Sequence, residues 1–331
     1  MSSPITGGMV ESTLLEAFRT AEVEEFQQAM IFSLQIRRLD HICHVRDREF
    51  QVTTTAIALL STIGQGTFSV VKRGLWRHPS GGKVDVALKI LRGVSQSIMD
   101  ELLVEASHLL KLQHNNVIRL YGIVDNPKML VFELCEGGEL LTRLRDASRP
   151  APLLTTLFGY CLQIVKALAF LESKQYVHRD VAARNILLTR NEKVVKLCDF
   201  GLMRALKENE RTYIMHSQNR VPFSWCPPEA LRYRRFSHAS DVWAFGVTLW
   251  EIFSYGEDPW IGCRAIDVLR RLEAGERLEK PRTCSKQIYD LLCSCWHINP
   301  DHRPKFTMLR RLLLAVSRKA SRITKSGDES C

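Results

Sequence analysis

His178-Arg179-Asp180-Val181-Ala182-Ala183-Arg184-Asn185 is the stretch on which the reading of this chain turns. Before it runs a segment of helical periodicity, Thr155 to Glu172, and after it a short apolar run, Ile186 to Leu188. The stretch is therefore a loop between a helix and a strand. Asp180 and Asn185 stand five apart in that loop, close enough to share one site. A second short β-type run, Val194 to Leu197, leads into Cys198-Asp199-Phe200-Gly201.

An aspartate at the end of an apolar strand, with glycine beyond it, suits a metal ligand on a mobile loop. Mg²⁺ favours one or two carboxylate or amide oxygens together with phosphate oxygens, so Asp199 is a candidate metal ligand. Upstream, Ile63 to Val71 reads I-G-Q-G-T-F-S-V-V between two β-type runs. Gly64 and Gly66 would let backbone amides approach phosphate oxygens. Taken alone, the same residues also suit an ordinary hairpin with a glycine turn. No helix follows directly, which opposes a dinucleotide fingerprint. Val86-Ala87-Leu88-Lys89 then places a lysine at the end of an apolar strand. A buried lysine requires a partner, and Glu105 on the next helical stretch is the expected one, with Glu101 as competitor. A lysine snorkelling from a surface strand is the alternative.

Around these motifs the periodicity changes once. Residues 11–45 have helical spacing, and 46–54 are polar and threonine-rich. Short β-type runs follow at Ala58 to Ile63, Val70 to Trp76, Val84 to Leu91, Val117 to Val124 and Met129 to Leu134, interrupted by a helical stretch from Ser97 to Leu112. After Gly137-Gly138 the helical period dominates, at Thr155 to Glu172, Asp241 to Ser254, Ile266 to Glu273, Ser285 to Trp296 and Thr307 to Ser317. A small β-rich unit followed by a larger helical one predicts two lobes with a hinge near Cys135 to Gly138.

Across 331 residues, hydrophobic side chains make up 45% and charged ones 25%, the balance of a globular protein with ample core. No apolar run is expected to reach the roughly 18–20 residues that span a bilayer. The first residues lack a basic segment followed by an apolar one, so a cytoplasmic location is expected. The ten cysteines lack zinc-type or redox-type spacing and are expected to be free thiols. The net charge of +10 gathers around Arg204 to Arg235 and Arg310 to Lys325. Without interleaved aromatic residues it is read as a phosphate-handling surface and a basic tail rather than a nucleic-acid interface.

Together, G-Q-G-T-F-S-V-V, V-A-L-K, H-R-D-V-A-A-R-N, D-F-G and P-P-E (Pro227 to Glu229) resemble the protein kinase family over residues 57 to about 317. The resemblance implies an α+β, bilobal protein-kinase fold, with the N-lobe at 57–134, the C-lobe at 139–317, a helical extension at 1–50 and a basic tail at 318–331. It implies ATP and Mg²⁺ as cofactors. By position, Lys89 would hold the α- and β-phosphates and pair with Glu105, Asp180 would accept the acceptor's proton, and Asn185 and Asp199 would bind Mg²⁺. The nucleotide would lie against Ile63, Gly64, Gln65, Gly66, Thr67, Phe68, Ser69, Val70 and Val71. Val71, Ala87 and Leu187 would enclose adenine, Phe132 would guard the back of the pocket, and Glu133 to Cys135 would form the hinge. Leu109, Leu120, His178 and Phe200 would stack as an internal spine, Asp241 would brace the catalytic loop, and Glu229 would pair with Arg303.

Ala182, where serine/threonine kinases usually carry lysine, and Arg184 resemble the A-A-R of tyrosine kinases, as Val221-Pro222-Phe223-Ser224-Trp225 resembles their acceptor wall. Closer still, Asp199 to Leu206, Val221 to Cys226, Phe236 to Asp241 and Glu257 to Gly262 resemble the Ack family of non-receptor tyrosine kinases, and residues 11–50 the opening of its sterile-alpha-motif domain. That implies protein tyrosine substrates and autophosphorylation at Tyr213, whose phosphate would meet Arg179 and Arg204. It leaves room for self-association in trans and for peripheral membrane association through the basic tail. A pseudokinase scaffold is opposed by the presence of Lys89, Asp180 and Asp199, and dual specificity by Ala182 and Arg184. Ser69 stands where the family has a third glycine, and Pro227 where it has alanine. Residues 1–50 are shorter than a complete sterile-alpha-motif bundle, and no Src-homology-3 or GTPase-binding region follows. The chain is therefore expected to be a short form, a fragment or a minimal relative.

Overall fold

The computed structural model describes residues 51–65, 69–91, 106, 109–124, 128–206, 209–215 and 221–328, from 319 onward without side chains. The chain divides after Val52, and the unit Thr53–Cys331 is the one described below. The expected helical extension at 1–50 lies outside the described residues.

Alternation builds the small lobe. β1 (Ile57–Gln65), β2 (Ser69–Arg77), β3 (Lys83–Leu91), β4 (Leu120–Val124) and β5 (Met129–Glu133) form an antiparallel sheet in the order β1-β2-β3-β5-β4. In β3, Val86 and Leu88 are fully buried while Ala87 and Lys89 are half-buried on the other face, because side chains alternate along a strand. Register places Val71 opposite Lys89, Lys89 opposite Leu130, and Ala87 opposite Phe132. These side chains therefore share one face. Of the helix expected from Ser97 to Leu112, Ala106 and Leu109 to Lys111 are described and helical.

The segment after β5 leads through β6 (Gly138–Glu139) into the large lobe: α1 (Leu140–Arg145), α2 (Leu154–Ser173), β7 (Tyr176–Val177), β8 (Ile186–Leu188), β9 (Val195–Leu197), β10 (Arg204–Ala205), β11 (Tyr213–Ile214), α3 (Pro228–Tyr233), β12 (Arg235–Phe236), α4 (His238–Phe253), α5 (Ala265–Glu273), α6 (Lys286–Cys295) and α7 (Phe306–Asp328). Gly137 lets the connecting segment lie directly on β8. A Cβ there would stand 2.5 Å from the Thr189 carbonyl and 2.7 Å from Leu188 Cβ.

The large lobe is organised around α4. Ser237 caps it, accepting from the Ser240 backbone N–H. Every residue from Ser240 to Phe253 is buried, as suits a helix apolar on all sides. α2 is long and apolar enough to cross a membrane by length and composition alone, a test that a buried core helix passes equally. Its Leu157, Cys161, Ile164, Leu168 and Leu171 are buried in the same core as α4, the position of a central helix in a packed lobe.

The expected β-rich small lobe and helical large lobe are both present. Two boundaries differ. Val117 makes an isolated bridge to Leu197 instead of opening β4. The segment read as a basic tail from 318 continues α7 to Asp328, because neither proline nor glycine interrupts the chain between Phe306 and Gly327. Pro227 fits where it stands, at the N-cap of α3 with φ −73° and its carbonyl accepting from Ala230 and Leu231. A position with that φ and no required N–H suits proline.

Candidate active site

The His178–Asn185 loop is held from below by a buried carboxylate. Asp241 accepts the His178 backbone N–H at 2.7 Å and the Arg179 N–H at 2.9 Å, one on each oxygen. Arg179 has a φ of 73°, a conformation that costs of order 1–3 kcal/mol unless the surroundings enforce it. Asp241 is the group that does so, and this is the bracing expected of it. Burial pushes its carboxyl up to about 7, against the two backbone N–H groups that pull it down.

Within the loop, Arg184 Nη2 meets Asp180 Oδ1. Asn185 Nδ2 donates to the Asp180 carbonyl at 2.8 Å, and Cys198 N–H donates to the Asn185 carbonyl at 2.9 Å. The last bond ties the loop to the segment carrying Asp199, which has a φ of 58° and an exposed carboxylate. The Asn185 side chain, oriented through its nitrogen, and Asp199 therefore sit on two joined segments. They are two oxygen donors of the kind a divalent ion shares with phosphate. Among the described residues no group of three His, Cys, Asp or Glu is placed to hold a metal alone.

Electrostatics bring the small lobe to the same place. Burial pushes the Cys198 thiol well up, Asp199, Cys135 and Glu139 act in the same direction, and the Lys89 ammonium opposes them. The thiol of Cys198 thus lies within the fields of β3, of the connecting segment and of the Asp199 loop together. His178, buried and lowered by that burial, is pulled upward by Asp180 and Asp199. Its ring meets Phe200 edge-on at 5.0 Å. Leu109, Leu120 and Phe200 belong to one core, as the expected spine requires. Glu229 and Arg303 pair through two hydrogen bonds of 2.6 and 2.9 Å.

The other candidates divide. Gly64, Val71, Ala87 and Lys89 share one face of the sheet, and Leu187 on β8 is half-buried beside Ile186 and Leu188. Ile63 is exposed, Gln65 ends β1, and Ser69 opens β2 opposite Leu91. Val70 pairs with Ile90 and turns its buried side chain to the face opposite that of Val71. The Glu133 carboxylate pairs with Lys196, at 2.9 Å, and accepts the Arg119 N–H, at 2.7 Å, while its own N–H donates to the Arg119 carbonyl at 3.0 Å. Burial pushes the Cys135 thiol up to about 12. Gly66, Thr67, Phe68, Glu101 and Glu105 lie outside the described residues, and with them the partner predicted for Lys89.

Beyond the loop, β11 pairs with β12 and sets Tyr213 beside Arg179. The Arg179 guanidinium lies 4.7 Å from the Tyr213 ring and 4.5 Å from that of Phe236, and donates to the Leu202 carbonyl. Arg204 donates to the Gly201 and Met203 carbonyls. Burial and the nearby Arg204 charge both lower the Arg179 pKa.

One group escaped the sequence reading. Glu251, 1% exposed, accepts from Ala183 N–H at 3.0 Å and from Trp225 Nε1 at 2.9 Å. Burial pushes its carboxyl up to about 7. The available signal was a carboxylate in the apolar second half of a helix, because such a group requires buried donors.

Residues 57–313 match the family model described as protein tyrosine and serine/threonine kinase, and residues 14–53 match one described as SAM domain-like. Tyrosine-protein kinase sid-3 of Caenorhabditis elegans is 51% identical over 94% of this chain and 29% of its own length. Activated Cdc42 kinase Ack of Drosophila melanogaster is 43% identical over 81% and 25%, respectively. The human non-receptor tyrosine-protein kinase TNK1 is 44% identical over 76% and 38%. The chain thus spans well under half the length of these relatives.

Proposed function

The chain belongs to the protein tyrosine and serine/threonine kinase family, and from that premise we propose that it is a non-receptor tyrosine kinase that transfers the γ-phosphoryl group of ATP to protein tyrosine hydroxyls. The observation that carries this reading is the contact of Arg184 with both Asp180 and the ring of Trp225, 4.2 Å from the guanidinium. A guanidinium there occupies the space beside the proton-accepting carboxylate and carries an aromatic wall. An acceptor must then reach Asp180 from farther out, as tyrosine does and serine does not.

Phosphoryl transfer depends on positioning and on neutralising charge. Lys89, on the face of β3 that Ala87 and Val71 share, would hold the α- and β-phosphates. Asn185 and Asp199 would hold a divalent ion, Mg²⁺ by the oxygen character of the pair. When bound, the ion neutralises phosphate charge. Asp180, its backbone fixed by Asn185 and its carboxylate by Arg184, would orient the tyrosine hydroxyl and take its proton. Glu105 is the proposed partner of Lys89. A cytoplasmic location accords with the non-receptor relatives.

Tyr213 is the proposed autophosphorylation site, reached in trans from a second copy. A phosphate there carries about −1.5 to −2 charges and would exchange the ring contact with Arg179 for an ion pair shared with Arg204. Incubation with ATP and a poly-Glu/Tyr acceptor, followed by phosphoamino-acid analysis and peptide mapping, tests both points. The expected products are phosphotyrosine in the acceptor and modified Tyr213 in the enzyme. Phosphoserine or phosphothreonine as the main product would overturn the tyrosine assignment, and an active enzyme with unmodified Tyr213 would overturn the second.

A further inference from the structure

We propose that Glu251 is a positioning residue for the phosphoryl acceptor, locking the aromatic wall at Trp225 to the loop that carries Asp180. The inference rests on the kinase reading above and assigns a role to a residue outside the nucleotide cleft. Glu251 sits near the end of α4, buried, and a single oxygen, Oε2, accepts both the Ala183 N–H and the Trp225 Nε1–H. Two segments about forty residues apart in sequence are thereby held to one atom.

The contacts continue to the reacting carboxylate. The Trp225 ring carries the Arg184 guanidinium at 4.2 Å, and Arg184 holds Asp180 Oδ1. One turn earlier on α4, Thr248 Oγ1 donates to the Val181 carbonyl at 3.2 Å. The catalytic loop is therefore fastened to α4 at Val181 and at Ala183, and among these fastenings the one through Glu251 also reaches the acceptor wall. A well-packed apolar side chain is often as stabilising as a buried charged one. What an apolar replacement lacks is an acceptor with a defined direction, which fixes the distance between the wall and Asp180.

The test compares E251A, E251Q and W225F with wild type, reading KM and kcat for poly-Glu/Tyr and, separately, nucleotide affinity by direct binding. E251A is expected to raise KM for poly-Glu/Tyr by about tenfold or more, since the wall at Trp225 is no longer held at its distance from Asp180 and acceptor binding weakens, while nucleotide affinity is retained. E251Q keeps an acceptor oxygen for both donors and is expected to stay within about threefold of wild type. W225F removes one donor and keeps the ring. It is expected to raise KM, and adding E251A to it should raise KM by less than the product of the two single effects, the mark of a shared bond.

A wild-type KM in W225F would overturn the proposal, and that variant carries the test if E251A does not fold. Loss of nucleotide affinity in parallel with acceptor handling, or E251Q as impaired as E251A, would also overturn it. A wild-type protein that transfers nothing to poly-Glu/Tyr would overturn the kinase reading itself. An active wild type with unaffected variants would remove only the role of Glu251.

Discussion

Asp180→Asn is expected to slow peptide phosphorylation by about 10²–10⁴-fold, the usual contribution of a positioned general base, while nucleotide affinity stays close to wild type. The two consequences separate because the backbone around Asp180 is held independently of its carboxylate. Its carbonyl accepts from Asn185 Nδ2 at 2.8 Å, and its N–H donates to His178 Nδ1 at 3.3 Å. The flanking His178 and Arg179 are fixed by Asp241. Asparagine has nearly the same shape and keeps an oxygen for Arg184, but it cannot take a proton from the acceptor. The side chains assigned to phosphate and metal, Lys89, Asn185 and Asp199, are untouched. Initial rates on a tyrosine peptide and direct nucleotide titration measure the two effects. Normal turnover in the variant would show that the proton goes elsewhere.

Glu229→Ala is expected to cost about 3–5 kcal/mol of stability, because removing one member of a buried ion pair strands the other. The Arg303 side chain is 0% exposed and forms a fork onto both Glu229 oxygens. It also donates to the His297 and Ala239 carbonyls and lies 4.9 Å from the Trp243 ring. Those neighbours orient the guanidinium but leave its charge uncompensated. For a domain of this size each kcal/mol lowers Tm by about 2–4 °C, so the loss should approach ~10 °C in thermal denaturation. Glu229→Gln, which keeps one acceptor, should lie between. An unchanged Tm in Glu229→Ala would mean that the pair does not hold α3 to the segment before α7.

What was legible in the sequence was what local chemistry determines. The His178–Asn185 loop, the Asp199 segment and the lysine of β3 could be placed because each stands at the end of an apolar run whose period is visible in the chain. The Glu229–Arg303 pair came from resemblance alone, since the two residues are 74 apart. Within Ile63 to Val71 the motif shows the glycines but not the two-residue period of β2, which turns Val70 to the face opposite that of Val71. That the basic segment from 318 continues a helix to Asp328 follows from its composition, since arginine, lysine, alanine and serine run there without proline. The partners of Glu251 were illegible for a different reason: Ala183 and Trp225 belong to segments that meet only when the large lobe has packed.

The most direct measurement is nucleotide turnover by the purified chain with Mg²⁺ and ATP, with and without poly-Glu/Tyr. The account predicts turnover that rises with the acceptor and a γ-phosphoryl group recovered on tyrosine. Turnover indifferent to the acceptor, or absent in a preparation that binds ATP, would contradict it.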